Sequence, residues 1–376
     1  MILIKATRDA ILKPLQQVAG IVEKRHTLPI LSNILITKQG NKVSFISTDI
    51  EMQITASAAI GAGADNESTT VSARKLVDIL KALPTNDEVT LSLAAQKLSI
   101  TQNRSKFSLQ TLPSGEFPTV TRSEQFPARV TLAQKDVKRL LHLVSFSMAQ
   151  QDIRYYLNGM LIVVDKNHLK AVATDGHRLA FAQITISHAE NIHFSEQTEK
   201  IEVIIPRKAI SELQKTLRDD EQEVTIEIAS NQARFILDGL EILSKLIEGR
   251  FPDYQRVIPQ NHNKNIEFNR ELLLGALTRV AILTSDKFKG VRLILSADQL
   301  RISSTNAEQE EAQEDLAIAY QGELLDIGFN VQYLIEVLMT LHADAVCLSL
   351  LDQNSSALLT TTTDPEFRYV VMPMRI

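Results

Sequence analysis

Apolar positions along the 376-residue chain follow the same order three times. Each copy begins with a stretch in which apolar residues recur every three or four positions, which is typical of one buried face of a helix. These stretches span 9–22, 136–147 and 271–283. An apolar strand follows each of them and begins at Asn33, Gly159 and Gly290. The copies lie roughly 125–135 residues apart, which predicts a repeated domain.

A polar triplet at the end of a strand is the clearest marker of the repeat. The triplets are Ser47-Thr48-Asp49, Ala173-Thr174-Asp175 and Ser304-Thr305-Asn306. A second helix-like segment follows each triplet, at 72–83, 206–217 and 330–341, and its first residue (Ser, Pro or Asn) suits a helix start. Short alternating runs, such as 88–93, 98–101 and 107–109, predict strands. The middle copy is longer, and we expect its extra residues in the polar, loop-like segment 187–200.

The repeat predicts an α+β fold with three domains, at 1–127, 128–254 and 255–376. A domain of this length can bury a core of its own. The alternative is a long α+β protein whose internal similarities are accidental. Several markers that recur in one order, with a single insertion, favour the repeat.

Composition excludes several classes of protein. No apolar run approaches the roughly 20 residues that cross a bilayer, and charges interrupt the N-terminus too early for a signal peptide. The single cysteine, Cys347, excludes an intrachain disulfide framework and fits a reducing cytoplasm. Its strand-like neighbours favour a buried structural thiol over a nucleophile. We expect a cytoplasmic protein with no membrane partner.

The charge distribution changes this picture more than the net charge does. A net charge of −5 taken alone argues mildly against a nucleic-acid partner. Six slightly wider windows around the helix-like segments, 8–25, 71–83, 134–147, 206–218, 269–283 and 327–342, together carry +9, which leaves −14 on the rest of the chain. Exposed helix faces could carry lysines for solubility alone, but few matching glutamates accompany them. Basic helices on an acidic body favour a polyanion that is contacted from one side.

Candidate catalytic chemistry is sparse. The chain has no Gly-rich phosphate loop with Lys-Ser/Thr, no His-Glu-x-x-His helix and no Gly-x-Ser-x-Gly turn. Asp175 and His177 could form a catalytic pair, although an Asp-Gly-His run after a strand more often forms a hydrogen-bonded turn. The acidic run 308–315 could bind a metal, but a charged contact surface is the stronger interpretation. We expect no catalytic residue, no metal and no cofactor.

Two segments are unusual for a structural scaffold. Segment 151–159 places Arg154 beside Tyr155 and Tyr156, and such a group can hold a phosphate while a ring lies against sugar or base. One of two adjacent tyrosines can instead face the core. The chain also ends on an apolar segment, 369–376, where chain ends are usually polar and frayed. Two methionines and a proline there suit an adaptable apolar groove.

Six segments together resemble one family over the whole chain. They are Leu28-Pro29-Ile30-Leu31, the segments 151–159 and 174–179, Gly249-Arg250-Phe251-Pro252-Asp253-Tyr254, Lys289-Gly290-Val291-Arg292 and Met372-Pro373-Met374-Arg375. This set is similar to the bacterial β sliding clamps, the processivity subunits of DNA polymerase III. The resemblance implies three similar clamp domains, each with two helices packed on antiparallel sheets. Two chains would close head to tail into a ring, with helices lining the hole.

The resemblance also implies a function without catalysis. At an axis separation of about 9 Å, twelve helices give a circumference of roughly 110 Å and a diameter near 35 Å, which admits a DNA duplex. The ring would hold duplex DNA by topology and slide on weak, sequence-independent phosphate contacts. Its implied partners are a second copy of itself, the polymerase III catalytic subunit with its 3'-5' exonuclease complex, clamp-loader subunits, other polymerases and repair proteins that carry clamp-binding peptides.

The resemblance places candidate residues at three sites. The DNA-facing residues are Arg25, Arg74, Gln151, Arg154, Tyr155, Tyr156, Arg207 and Lys208. The partner-peptide groove is walled by Leu157, Thr174, Gly176, His177, Arg178, Leu179, Pro252, Val257, Tyr333, Ser356, Val370, Val371, Met372, Pro373, Met374 and Arg375. The dimer contact pairs Lys75, Lys106, Phe107 and Leu109 of one chain with Ile282, Leu283, Glu308, Glu310, Glu311 and Glu314 of the other.

Three positions depart from the family pattern. Gln150 stands where a histidine is frequent, Ile376 replaces the usual terminal leucine, and Asn354 puts a polar residue near the groove. Two other functions remain open at this point. One is an enzyme that uses Asp175 and His177, and the other is a peptide-binding hub without a DNA role.

Overall fold

The structure is a computed structural model, and it describes residues 1–22, 28–85, 87–195, 199–285 and 289–376. The first third of the chain contains β1 (Ile2–Thr7), α1 (Arg8–Ala19), β2 (Asn33–Gln39), β3 (Lys42–Thr48), β4 (Met52–Ala58), β5 (Glu67–Ser72), α2 (Ala73–Ala82), β6 (Glu88–Ala94), β7 (Lys97–Gln102) and β8 (Ser105–Leu112). The middle third contains β9 (Ala128–Ala133), α3 (Gln134–Ser145), β10 (Gly159–Asp165), β11 (His168–Thr174), β12 (Arg178–Thr185), β13 (Ile192–Phe194), β14 (Lys200–Pro206), α4 (Arg207–Thr216), β15 (Glu223–Ile228), β16 (Gln232–Leu237) and β17 (Leu240–Lys245). The last third contains α5 (Tyr254–Val257), β18 (Lys264–Asn269), α6 (Arg270–Val280), β19 (Gly290–Ser296), β20 (Gln299–Thr305), β21 (Glu311–Ala317), β22 (Leu325–Asn330), α7 (Val331–Thr340), β23 (Ala345–Leu350), β24 (Ala357–Thr360) and β25 (Arg368–Val371).

The predicted helices are confirmed as α1 to α4, α6 and α7, and the α+β class is confirmed with them. Helices α2, α4 and α7 begin within one residue of their predicted starts, but the start residues act differently. Asn330 caps α7 as expected, since its side chain accepts a hydrogen bond from the N–H of Gln332. Ser72 makes no side-chain cap, because it is the last residue of β5 and pairs with Asn33 across the sheet. Pro206 likewise ends β14, opposite Gly159, one residue before α4 begins.

The loop expected at 187–200 is partly wrong. Three of its residues, Ile192–Phe194, form β13, which pairs antiparallel with β9. The polar residues around this strand hid it, because three residues are too few to show an alternating pattern.

Residues 1–135, 190–198 and 211–246 form one compact unit. It is organised by a 13-stranded sheet in the order β1-β6-β7-β8-β5-β2-β3-β4-β17-β16-β15-β9-β13. Between β4 and β17 the antiparallel pairing runs from Ala56 with Leu240 to Met52 with Ser244. Helix α1 buries Ile11 and Leu15, as its apolar spacing predicts.

Residues 136–189, 199–210 and 247–376 form the second compact unit. An eight-stranded sheet has the order β14-β10-β11-β12-β25-β24-β23-β18, and a four-stranded sheet has the order β21-β20-β19-β22. The C-terminal strand β25 lies between β12 and β24, so it joins sequence from the middle and last thirds in one sheet. The boundaries 1–127, 128–254 and 255–376 stay a prediction.

The first two polar triplets mark equivalent turns, whereas in the third Asn306 Oδ1 accepts one N–H group, that of Glu310. Thr48 and Thr174 are the last residues of β3 and β11, and each donates its hydroxyl to a carbonyl four residues on, at 2.8 Å and 2.6 Å. The next residue, Asp49 or Asp175, accepts two backbone N–H groups of the same turn. These hydrogen bonds explain why the triplet recurs: short polar side chains replace backbone partners where the strand stops.

Candidate partner groove and nucleic-acid interface

The turn after β11 fixes the backbone of the candidate groove wall. Asp175 Oδ1 accepts the N–H groups of His177 and Arg178 at 2.9 Å and 3.1 Å, and its Oδ2 accepts Arg178 Nε at 3.1 Å. Gly176 adopts φ +91°, a left-handed conformation that glycine tolerates. The carboxylate of Asp175 therefore holds the turn and Arg178, and the exposed ring of His177 stands outside this arrangement.

Arg178 is the buried charge behind this wall, with 8% of its side chain exposed. Its Nη1 donates to Glu336 at 2.5 Å, and its Nη2 donates to the Phe146 carbonyl at 2.8 Å. The guanidinium also lies 4.5 Å from the centre of the Tyr333 ring. Ion pairing, hydrogen bonding and ring contact together compensate the cost of burying this cation.

The buried residue Tyr369 contacts Tyr333 and Phe146, two of the residues that surround Arg178. The Tyr369 hydroxyl donates to the Tyr333 carbonyl at 2.9 Å, and its ring lies 5.6 Å from that of Phe146. Burial raises the pKa of Tyr369 well above its ordinary value, so the hydroxyl remains a neutral donor. Tyr369 thus links β25 to the first turn of α7.

An apolar cluster forms the floor beside the turn. Its buried members are Leu161, Val163, Val172, Leu179, Ile204, Phe251, Tyr254 and Val370, and Tyr156, Phe181, Ile247, Ile258 and Leu358 pack against it. The β12–β25 register sets Leu179 opposite Val370, and the N–H of Met372 then donates to the His177 carbonyl at 2.9 Å. The C-terminal segment therefore runs alongside the turn.

The predicted groove residues divide into a buried backing and an accessible rim. Leu157, Thr174, Arg178, Leu179, Val370 and Val371 are buried, whereas Gly176, His177, Pro252, Val257, Met372 and Arg375 are exposed, and Tyr333, Ser356, Pro373 and Met374 are half-buried. Sequence reasoning omitted Phe251, Tyr254 and Glu336. The first two belong to the Gly249–Tyr254 motif, so their aromatic character was an available signal, but Glu336 offered none.

The segment joining α3 to β10 holds four of the candidate DNA residues, Gln151, Arg154, Tyr155 and Tyr156. Arg154 donates Nε and Nη2 to the two carboxylate oxygens of Asp152, at 3.0 Å and 2.8 Å, and Nη2 also donates to the Asp175 carbonyl at 3.0 Å. This hydrogen bonding lowers the pKa of Asp152 to about 2. Arg154 is thus engaged with the groove turn as well as placed beside Tyr155.

The two adjacent tyrosines lie in different environments, as expected when only one of two neighbouring residues can face the core. Tyr156 packs against the apolar cluster, whereas Tyr155 is 57% exposed and meets Tyr156 edge-on at 5.9 Å. Ile153 is 95% exposed at the tip of the same segment. One ring is therefore a core residue, and the other is available to a ligand.

A polar pocket of about 510 Å³ connects these groups. Arg154 and Arg207 of the candidate DNA set and His177 and Arg178 of the groove wall all line it. Arg207 donates to the Met148 carbonyl at 2.7 Å, and burial together with nearby Arg178 lowers its pKa. Gln150 also lines this pocket.

The remaining candidate DNA residues lie elsewhere. Arg25 falls outside the described residues. Arg74 is exposed on α2, in the first compact unit, with its Nε 3.6 Å from Asp78. Lys208 is half-buried on α4. Gln151, in contrast, belongs to the segment that joins α3 to β10, where it is exposed with φ +54°.

Five of the ten candidate dimer residues lie on two strands, β8 and β21. Lys106, Phe107 and Leu109 belong to β8, which pairs with β7 along Ser105–Gln110 and, in the described pairing, with β5 at its last two residues. The acidic residues Glu311 and Glu314 belong to β21, the end strand of its four-stranded sheet. Lys75 is exposed on α2, Glu308 and Glu310 are exposed before β21, and Ile282 is 77% exposed beside half-buried Leu283.

Two expectations about single residues change. Glu314 accepts Arg279 Nε and Nη2 at 2.5 Å and 2.9 Å, so part of the acidic cluster is neutralised within its own chain. Cys347 in β23 is half-buried, not buried, with its thiol 3.9 Å from the Ser349 hydroxyl.

In the portion of the chain that the structure describes, no helix has the length and apolarity to cross a membrane.

Comparison with known proteins covers almost the whole chain. Models of the N-terminal, central and C-terminal domains of the DNA polymerase III beta subunit match residues 2–121, 131–253 and 255–375. Beta sliding clamps of Pseudomonas putida and Escherichia coli K12 are 45% and 42% identical over 371 and 369 residues, 98% of each chain. A crystal structure of the DNA polymerase sliding clamp from Pseudomonas aeruginosa with ligand superposes with a TM-score of 0.94, at 41% identity and full coverage of both chains.

Proposed function

The chain belongs to the DNA polymerase III beta subunit family, and on that premise we propose that two copies close head to tail into a ring around duplex DNA. The ring is a processivity factor: it has no catalytic step of its own and keeps a replicative polymerase on its template. The observation that carries this proposal is the match of three successive clamp domains in order along the chain. We place the protein in the bacterial cytoplasm, with domains at 1–127, 128–254 and 255–376.

The two strand edges support ring closure. A strand edge presents unpaired N–H and C=O groups, which a second strand can complete. Pairing the edge of β8 in one chain with that of β21 in the next would continue both sheets across the contact. Lys106 would then approach the carboxylates of β21, which favours a heterologous contact that closes.

Sequence-independent contacts suit the proposed sliding. Arg74, Arg207 and Lys208 lie on helices, where cationic side chains can reach phosphates, and contacts with phosphates carry no sequence information. Exposed Tyr155 can rest on sugar or base beside them. Because such contacts are screened by salt, they allow movement along the duplex.

The apolar floor with its exposed rim supports peptide binding. Leu179 and Val370 are buried in the floor while Val257 and Met372 stand exposed at the rim, so an apolar anchor would contact both. We propose that peptides from the polymerase III catalytic subunit, clamp-loader subunits, other polymerases and repair proteins bind here. A few buried anchors should dominate the affinity.

The decisive experiment measures retention on circular and linear DNA. The protein is loaded onto a nicked circular plasmid by its clamp loader, and half of the isolated complex is then cut once with a restriction enzyme. We expect the protein to stay on the circle and to leave the cut DNA. Equal loss from both forms would support the peptide-binding hub, and a particle of 42.0 kDa at micromolar concentration would contradict the ring.

The enzyme hypothesis has a separate test. A hydrolytic activity that His177→Ala abolishes while peptide binding survives would support an active site at the Asp175 turn. Family membership and the use of the Asp175 carboxylate in the turn both argue against that outcome.

A further inference from the structure

The last residues of the chain leave one sheet and attach to another. Strand β25 ends at Val371, and the N–H of Met372 donates to the His177 carbonyl at 2.9 Å. Two residues later, the N–H of Met374 donates to the Gly328 carbonyl in β22 at 2.8 Å. The rim residue Met372 and its neighbour Pro373 therefore lie between two backbone attachments.

The second attachment is reinforced by a slot with a glycine floor. Gly290 in β19 and Gly328 in β22 lie on the same face of the four-stranded sheet, opposite the face that carries the buried Val291 and Phe329. The side chain of the C-terminal residue, Ile376, lies over both glycines. A side chain at Gly328 would collide with backbone, whereas one at Gly290 would displace only the Ile376 side chain.

The distances show how little space the slot leaves. A methyl group added to Gly328 would lie 2.5 Å from the Met374 carbonyl oxygen and 2.8 Å from Ile376 Cδ1. A methyl group added to Gly290 would lie 3.1 Å from Ile376 Cδ1 and 3.2 Å from its Cγ1. Since an added Cβ at Gly328 meets backbone, the tail would have to move away.

We propose that this glycine slot, formed by Gly290 and Gly328, anchors Ile376 and thereby positions the groove rim at Met372–Met374. The inference rests on the proposed peptide groove, and it makes Ile376 a positioning residue. Residues 372–376 lie outside the strands, so without an anchor they would have to become ordered each time a peptide binds. Anchoring removes that cost before the peptide arrives.

The expected change in peptide affinity is estimated from the cost of ordering the backbone of one residue. Fixing the backbone of one residue costs about 1–2 kcal/mol, which corresponds to roughly 5- to 30-fold in Kd. We therefore expect Ile376→Ala to weaken peptide binding about tenfold, mainly through faster dissociation. Ile376→Leu, which keeps the apolar volume, should bind within about threefold of the unaltered chain.

The experiment combines affinity with a direct probe of the tail. Binding of a fluorescein-labelled peptide with Leu and Phe anchors is measured for the full chain, Ile376→Ala, Ile376→Leu and Gly328→Ala. Hydrogen exchange at the Met374 N–H reports the attachment itself. Leu324→Ala is the matched control, because Leu324 is similarly exposed (73% against 65%) and lies outside the groove.

Three results distinguish the positioning role of Ile376, a groove without that role, and the absence of a groove. Faster exchange at Met374 with weaker peptide binding in Ile376→Ala and Gly328→Ala, rescue by Ile376→Leu and an unchanged unfolding midpoint support the positioning role. Peptide binding by Ile376→Ala as tight as that of the unaltered chain overturns this inference and leaves the groove intact. Absence of binding by the unaltered chain overturns the groove and the inference together. Because Ile376 is a surface residue, its variants keep the test valid if Gly328→Ala fails to fold.

Discussion

Replacing Arg178 by methionine tests whether the buried cation behind the groove wall holds the region together. Methionine keeps much of the apolar length of the side chain but removes the guanidinium. The change deletes the hydrogen bonds to Asp175, Glu336 and the Phe146 carbonyl. Asp175 and Glu336 then lose their shared cation while 17% and 33% of their side chains are exposed.

The expected loss in unfolding free energy follows from the burial of Arg178. Arg178 is 8% exposed, and breaking a buried ion pair by removing one partner costs about 3–5 kcal/mol. Glu336 is partly solvated, so the lower end, about 3 kcal/mol, is the expected loss in unfolding free energy. Arg256 provides a control in the same unit, because it pairs with Asp253 while the two side chains are 87% and 52% exposed. Arg256→Met should cost about 0–1 kcal/mol.

Urea denaturation measures this difference. The chain contains six tyrosines and no tryptophan, so its intrinsic fluorescence comes from tyrosine, and Tyr333 and Tyr369 lie beside Arg178. A double-mutant cycle with Glu336→Gln isolates the pair. A loss for Arg178→Met below about 1 kcal/mol, or equal to that of Arg256→Met, would refute the buried-network explanation.

Three further outcomes are expected. Deleting residues 372–376 should abolish binding of the polymerase peptide while sedimentation still detects the dimer; unchanged peptide binding would contradict the groove assignment. The pKa of Asp152, lowered from 3.8 to about 2, means that its pairing with Arg154 stabilises the fold above pH 3.8 and that this contribution is lost as the pH falls towards 2. A carboxyl ¹³C titration should show the low midpoint, and Arg154→Gln should raise it; a normal midpoint in the unaltered chain would disprove the pairing. Arg74→Ala should reduce the salt dependence of DNA association by roughly one unit of slope, and an unchanged slope would remove Arg74 from the DNA surface.

The helices were predictable because their signal is local. In α1, the three- and four-residue spacing of Ile11 and Leu15 specifies one buried face. In contrast, the three residues of β13 are too few to show an alternating pattern. The strand forms because it pairs with β9, which lies more than fifty residues earlier in the chain. The cap at Asn330 was predictable from residue type, whereas Ser72 has the same tendency but is already committed to β5.

The site was predictable as a set of segments, not as a network. The sequence placed Arg154 beside two tyrosines but did not reveal its ion pair with Asp152. That pair depends on a local turn in which Asp152 Oδ1 also accepts the N–H of Arg154 at 2.8 Å. The sequence also showed an unusually apolar terminus without showing the slot under Ile376. Gly290 and Gly328 come together only because β19 and β22 pair, and such long-range pairing is outside local pattern reasoning.

The pairing of β4 with β17 has a consequence during synthesis. Leu240 follows its partner Ala56 by 184 residues, so the edge of β4 has no strand partner until the ribosome has made β17. At about 5–20 residues per second, this interval lasts roughly 10–40 s. An exposed strand edge can pair with another nascent chain. The neighbouring chains on a polysome therefore offer a competing partner, and slower translation between residues 58 and 240 should increase the yield of insoluble product.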